Sequence, residues 1–364
     1  MLHLPQIQPR EAAEYHKLSA GPDRRWYRPL LAIAIAAMVF LALSTIVTLL
    51  PLAVPALNSP GYQKLFTGEI DATDPVVFAV LMLSIATLIP AVLAGVAFGA
   101  RTGVGYFFSV EGRLRYKWLG VCFAIAIPIF ALAFIPLSLL EGTEFKPGPQ
   151  LAILLVLTLV LVPFQSAAEE LTFRAGFLQM FGSWIPNRWV SLLVATLASA
   201  PVFALLHGSL DVWILADLVV FSVCAVFLMW YTGGVEAAVA MHASNNMVIF
   251  TIEAFSNTSD SLISEETTST PASFLVSTVI MGTVTAALAF AAKKAKITRM
   301  HDPSTTPQPD PVYLANELNK GRFYPEWQSL YPQWVLIQRG IVAPAPTVQQ
   351  SSTPNGQDLP GYFQ

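Results

Sequence analysis

Long apolar runs are the feature that most constrains the fold of this chain. A helix needs about 20 apolar residues to cross the hydrocarbon core of a bilayer. Seven runs of about that length lie at 29–50, 75–100, 118–140, 147–168, 189–210, 212–233 and 267–292, and a shorter eighth run lies at 237–252. Only 12% of the residues are charged, whereas soluble domains carry roughly 25%. The sequence therefore predicts an all-α, polytopic membrane protein, a bundle of about eight transmembrane helices.

The distribution of basic residues supports an even number of spans. With eight spans and a cytoplasmic N-terminus, every Lys and Arg except Lys64 and Lys146 falls on the cytoplasmic side, as the positive-inside rule describes. An odd number of spans would place the basic run 293–299 outside. We therefore expect a multi-pass protein of the cell membrane whose N- and C-termini are both cytoplasmic.

Composition divides the chain into three parts. Residues 1–28 form a polar cytoplasmic leader, 29–296 form the transmembrane domain, and 297–364 form a Pro-rich, partly aromatic cytoplasmic tail. The aromatic segment 323–342 either rests at the membrane interface, where such rings concentrate, or is a partly ordered tail with no assigned role. No basic stripe interleaved with aromatic residues suggests binding to nucleic acid.

Polar side chains inside the predicted spans are the candidates for function, because such groups are costly in a bilayer and usually face a cavity or a partner. They occur in pairs spaced four residues apart, which places both members on one helix face. The pairs are Glu170 with Arg174, Phe203 with His207, and His242 with Asn246, and Glu169 directly precedes the first. Each pair alone is typical of a structural ion pair or a contact between helices. Their occurrence on three spans of one chain favours a common site.

Depth decides whether these side chains can meet. The residues after Arg174 are still apolar, so we expect the fourth helix to continue to about Phe181 and to bring Glu169 toward mid-membrane. At 1.5 Å per residue, His207 lies about 27 Å along its span and His242 about 10 Å along its own. Tilted helices or kinks at prolines have to close this gap.

The three motifs resemble those of the CPBP family of intramembrane proteases (CAAX protease and bacteriocin-processing, or Abi). That family is marked by Glu-Glu-x-x-x-Arg, Phe-x-x-x-His and His-x-x-x-Asn/Asp on successive membrane segments. All three motifs stand here intact and in order, within about 150–250. The resemblance implies a transmembrane protease domain in which Glu169 is the catalytic acid/base, His207, His242 and Asn246 complete the site, and Glu170, Arg174 and Phe203 support it.

The residue types suit peptide hydrolysis on chemical grounds as well. This reaction needs an activated water, a proton carrier and a donor to the oxyanion, which a carboxylate, imidazoles and an amide supply. Glu169, His207 and His242 also form a workable set for a divalent metal such as zinc, so the cofactor stays open. The chain has no His-Glu-x-x-His, and a metal-free mechanism is slightly favoured.

The sequence thus predicts an intramembrane endopeptidase that hydrolyses a peptide or protein tail with a Glu-activated water. One alternative is a non-catalytic membrane scaffold or immunity factor that regulates a partner complex. Another is a transporter or proton relay, since acids and histidines inside spans also form relays. A relay should tolerate Asp at position 169 and need no amide at position 246, whereas hydrolysis should be sensitive to both changes. The expected partners are a peptide or protein substrate and the lipid bilayer, and the scaffold alternative adds a membrane-protein partner.

Overall fold

The computed structural model describes residues 9, 11–20, 25–258 and 269–305, together with 318, 319, 336, 339 and 340. The chain forms two compact units, Met1–Pro307 and Gln308–Gln364. The helical bundle belongs to the first unit, and only a few residues of the second are described. The predictions for the aromatic segment 323–342 therefore lie almost wholly outside the described residues.

Eight long helices build the described part of the first unit. They are α1 (Arg28–Ala53), α2 (Pro75–Ala100), α3 (Tyr116–Leu140), α4 (Leu151–Trp184), α5 (Arg188–Leu206), α6 (Val212–Thr232), α7 (Glu236–Ser256) and α8 (Pro271–Lys294). All of them except α7 are long and apolar enough to cross a membrane. The prediction of an all-α integral membrane protein is confirmed, and the cytoplasmic orientation of the two termini stays a prediction.

Helix α7 is less apolar because protein surrounds most of it. It packs against α3, α4, α6 and α8, and most of its first half is buried, including Glu236 and His242. A helix inside the bundle needs no continuous lipid-compatible surface, so it can carry His242, Asn245 and Asn246. This explains why the eighth apolar run, 237–252, is shorter than the others.

Helix α4 continues without interruption for 34 residues, about 51 Å at 1.5 Å per residue. The predicted extension to about Phe181 is confirmed, and the helix ends at Trp184. Its segment Glu170–Ala175 is a π-helical turn, a feature that inserts an extra residue and is frequent at functional sites. Glu169 directly precedes this turn, so the acidic pair lies within the helix and not at its end.

Capping side chains fix where several helices begin. Asp74 accepts hydrogen bonds from the backbone N–H groups of Val76 and Val77 at the start of α2. Asn187 and Asp211 cap the first turns of α5 and α6 in the same way. Such residues satisfy N–H groups that have no partner within the helix, and they set the short connections on either side of α5.

Part of the predicted leader is packed against the bundle. The buried Tyr15 donates its hydroxyl to the carbonyl oxygen of Phe107 at 2.6 Å. Lys17 Nζ donates to the carbonyl oxygens of Gly182 at 2.8 Å and Pro186 at 3.2 Å, at the end of α4. A cation at this end of a helix also complements its dipole, so residues 11–20 are fixed to the C-terminus of α4.

The same segment is joined to the chain that follows α8. The N–H of His301 donates to the carbonyl oxygen of Ala13 at 2.8 Å. The carboxylate of Glu14 pairs with Arg188 at 2.7 Å. His16 is fully buried, and burial together with the charge of Lys17 lowers its pKa from 6.5 to about 4.

Candidate active site

Glu169, Glu170 and His242 come together where α4 packs on α7. His242 Nδ1 lies 2.8 Å from Glu170 Oε1, and His242 Nε2 lies 3.5 Å from Glu169 Oε2. A carboxylate can only accept hydrogen bonds, so the contact with Glu170 places a proton on Nδ1. One imidazole therefore contacts both acids, with its Nε2 directed to Glu169.

Glu170 and Arg174 form an ion pair inside the bundle. Arg174 Nη1 lies 3.1 Å from Glu170 Oε1, and both side chains are fully buried. Arg174 Nη2 also donates to Ser222 Oγ at 3.0 Å, and the guanidinium lies 3.6 Å from the centroid of the Phe203 ring. A buried ion pair needs such additional partners because removing two charges from water is costly.

The Phe203 ring contacts both imidazoles. Its centroid is 4.4 Å from that of His207 and 6.1 Å from that of His242. His207 directly follows the last residue of α5, and its Nδ1 lies 2.8 Å from the carbonyl oxygen of Phe203. Both imidazoles thus lie next to one aromatic ring, so they are closer together than the depths expected along straight helices. His242 is buried and His207 is exposed at the edge of the cluster.

Asn246 belongs to a group of amide side chains next to the acids. Its Nδ2 donates to Gln165 Oε1 at 3.3 Å, and its Oδ1 accepts from Asn245 Nδ2 at 3.1 Å. Ser166 Oγ donates to the same Gln165 oxygen at 3.2 Å. The sequence reasoning missed Gln165, although its position four residues before Glu169 places both on one face of α4.

The metal ligands considered from the sequence do not form a group of three. Glu169 and His242 face each other, and a carboxylate with an imidazole suits zinc chemically. Among the described residues, however, no three His, Cys, Asp or Glu side chains are arranged to hold a metal ion. The set of Glu169, His207 and His242 thus does not fit a metal site in this arrangement, and the slight preference for a metal-free mechanism stays a prediction.

A partly open apolar cavity of about 390 Å³ lies beside this cluster, between α1, α2 and α4. Its walls include Ala37 of α1, Val92 of α2, and Phe173 and Phe177 of α4. Phe173 belongs to the π-helical turn, and its ring centroid is 5.8 Å from that of Phe203. The wall of the cavity is therefore in contact with the ring that touches both imidazoles.

Known proteins match the part of the chain that carries this site. Residues 148–248 match the family described as type II CAAX prenyl endopeptidase Rce1-like. The uncharacterized protein YyaK of Bacillus subtilis (strain 168) is 34% identical over an alignment of 102 residues, and the alignment covers 26% of this chain and 33% of YyaK. The chain thus spans about a third of that relative's length, and no solved structure matches. The resemblance to the CPBP family is confirmed for residues 148–248, the segment of this integral membrane protein that contains all three motifs.

Proposed function

We propose that this protein is an intramembrane endopeptidase that hydrolyses a peptide or protein tail with a water activated by Glu169. The observation that carries the proposal is the contact between Glu169 and His242 beside a buried Glu170–Arg174 ion pair. The match of residues 148–248 supports a protease of this general kind.

The contact between Glu169 and His242 suits the activation of water. With a proton on Nδ1, the His242 imidazole can present Nε2 as an acceptor, and the Glu169 carboxylate is an acceptor as well. Their separation of 3.5 Å exceeds that of a direct hydrogen bond. A water can donate one O–H to each group, which leaves its oxygen lone pair free to attack a carbonyl carbon.

Glu169 is the base in this proposal. Its Oε2 is buried and accepts no hydrogen bond from the described residues, so it is available for the proton of the attacking water. The water oxygen bonds to the carbonyl carbon, the C–N bond breaks, and the same proton passes to the leaving amine. The Asn246 amide donates to the oxyanion that forms in between.

The apolar cavity favours a substrate that carries an apolar group near the cleaved bond. Its lining is almost entirely apolar, and Phe173 connects it to the aromatic ring between the imidazoles. A prenylated tail, the kind of substrate named in the family's description, has such a group, and so does a peptide with a long apolar segment.

Cleavage by the purified, detergent-solubilised protein tests the proposal. Wild type is compared with Glu169→Gln on a diverse peptide library that includes prenylated and unprenylated tails, with and without a chelator. Glu141→Gln, at the exposed end of α3, is the matched control. We expect Glu169→Gln to cleave about 10²–10⁴-fold more slowly than wild type, and Glu141→Gln to retain wild-type activity.

The alternatives predict different results. Full cleavage by Glu169→Gln would refute Glu169 as the base. A wild-type protein that cleaves no peptide would favour the scaffold. A wild-type protein that cleaves no peptide but transports protons, as does its Glu169→Asp variant, would favour a proton relay. Loss of wild-type activity in the chelator arm alone would show that a metal takes part.

A further inference from the structure

We infer that Gln165 is a positioning residue that holds the Asn246 amide in the orientation needed for catalysis. The inference rests on the proposed function and goes beyond the three motifs, none of which includes Gln165. Two contacts between α4 and α7 carry it: Glu169 with His242, and Gln165 with Asn246.

These two contacts lie one helical turn apart along the antiparallel helices α4 and α7. Gln165 lies four residues before Glu169 on α4, and Asn246 lies four residues after His242 on α7. On each helix the two side chains therefore share one face, about 6 Å apart along the axis. The contact between Gln165 and Asn246 is thus next to the contact between Glu169 and His242, where the proposed water binds. A substrate carbonyl would lie between these two contacts.

The hydrogen bonds of the Asn246 side chain determine its orientation. Its Oδ1 accepts from Asn245 Nδ2, and one N–H of its Nδ2 donates to Gln165 Oε1. The Nδ2 group has a second N–H, which this arrangement leaves for a substrate oxygen. The Ser166 hydroxyl donates to the acceptor oxygen of Gln165 and holds it in place. The Asn246 amide is therefore oriented before substrate binds.

Burial indicates that Gln165 has a polar role at this position. Its side chain is only 5% exposed, and a buried amide is unfavourable unless it is hydrogen-bonded. An apolar side chain of similar length would fill the same volume without that cost. What only the amide supplies is an acceptor for Asn246.

A double-mutant cycle on cleavage kinetics tests the inference. The variants are Gln165→Met, which keeps the length and removes the acceptor, Asn246→Ala, and the two combined. Thr158→Val is the matched control, because Thr158 is a buried polar residue two turns earlier on the same helix. The readouts are kcat and KM for one peptide, with far-UV circular dichroism to verify the fold.

We expect Gln165→Met to lower kcat by about 10- to 100-fold, somewhat less than the loss of a complete oxyanion donor, with little change in KM. The double variant should be no slower than Asn246→Ala alone, since Gln165 acts through Asn246. Thr158→Val should keep wild-type kcat.

Losses that multiply in the double variant would overturn the inference, because a residue that merely supports the fold acts independently of Asn246. If Gln165→Met does not fold, Gln165→Glu keeps an acceptor oxygen for Asn246. If Gln165→Glu is no more active than Asn246→Ala, the inference is also overturned. Inactive wild type would refute the proposed function itself, whereas active wild type with multiplying losses refutes only the role of Gln165.

Discussion

Replacing Arg174 with Met should destabilise the folded protein by about 3–5 kcal/mol, the usual cost of leaving one partner of a buried ion pair uncompensated. Arg174 Nη1 lies 3.1 Å from Glu170 Oε1. At an effective dielectric constant of about 20, two unit charges at this distance attract by about 5 kcal/mol. Desolvation offsets part of this attraction while the pair is intact. Once the cation is removed, the Glu170 carboxylate stays buried without the partner that compensated its charge.

The same substitution at an exposed arginine provides the control. Arg188 pairs with Glu14 at 2.7 Å but is 48% exposed, so Arg188→Met should cost about 0–1 kcal/mol. The variant Glu170→Gln/Arg174→Met buries no charge at this pair and should recover more than half of the loss. Equilibrium unfolding in a denaturing-detergent titration, followed by circular dichroism, measures all three. Equal losses for Arg174→Met and Arg188→Met, or no recovery in the double variant, would refute the reasoning.

Ala37→Trp places a large ring in the wall of the apolar cavity and should lower kcat/KM for tails with a long apolar group about tenfold relative to tails without one. Ala34→Trp, on the same helix but not part of the cavity lining, should leave that ratio unchanged in the same kinetic assay. The pKa of His16 is about 4 in the folded protein and 6.5 when unperturbed. As the pH falls, His16 is therefore protonated at a higher pH when residues 11–20 are detached from the bundle than when they are attached. Attachment of residues 11–20 should therefore be stable above pH 6.5 and weaken toward pH 4, and hydrogen exchange of these residues should show this dependence in wild type but not in His16→Phe.

The helices could be predicted from the sequence because a bilayer leaves few alternatives. Each apolar run of about 20 residues has to be a helix whose backbone groups are satisfied internally. The runs overlap α1 to α6 and α8, although the run 147–168 covers only about the first half of α4. Helix α7 was found from a shorter run, 237–252. The lipid-facing pattern that marks the other helices is weak there, since contacts with neighbouring helices take its place.

Only the contacts within one helix of the candidate site could be predicted from the sequence, because they follow from residue spacing. The four-residue pairs correctly placed Glu170 with Arg174 on one face. The sequence did not show that His242 contacts both acids, because such a contact depends on how two helices cross. The π-helical turn Glu170–Ala175 and the contact between Gln165 and Asn246 depend on the same packing.

The attachment of residues 11–20 has a consequence for the order in which the protein is made. The hydrogen bond between His301 and Ala13 joins residues that are synthesised far apart in time. At about 5–20 residues per second, roughly 15–60 s separate them on the ribosome. Gly182 and Pro186, whose carbonyl oxygens accept from Lys17, are synthesised within that interval, whereas His301 is synthesised only at its end. Residues 11–20 are therefore synthesised long before the residue that completes their contacts.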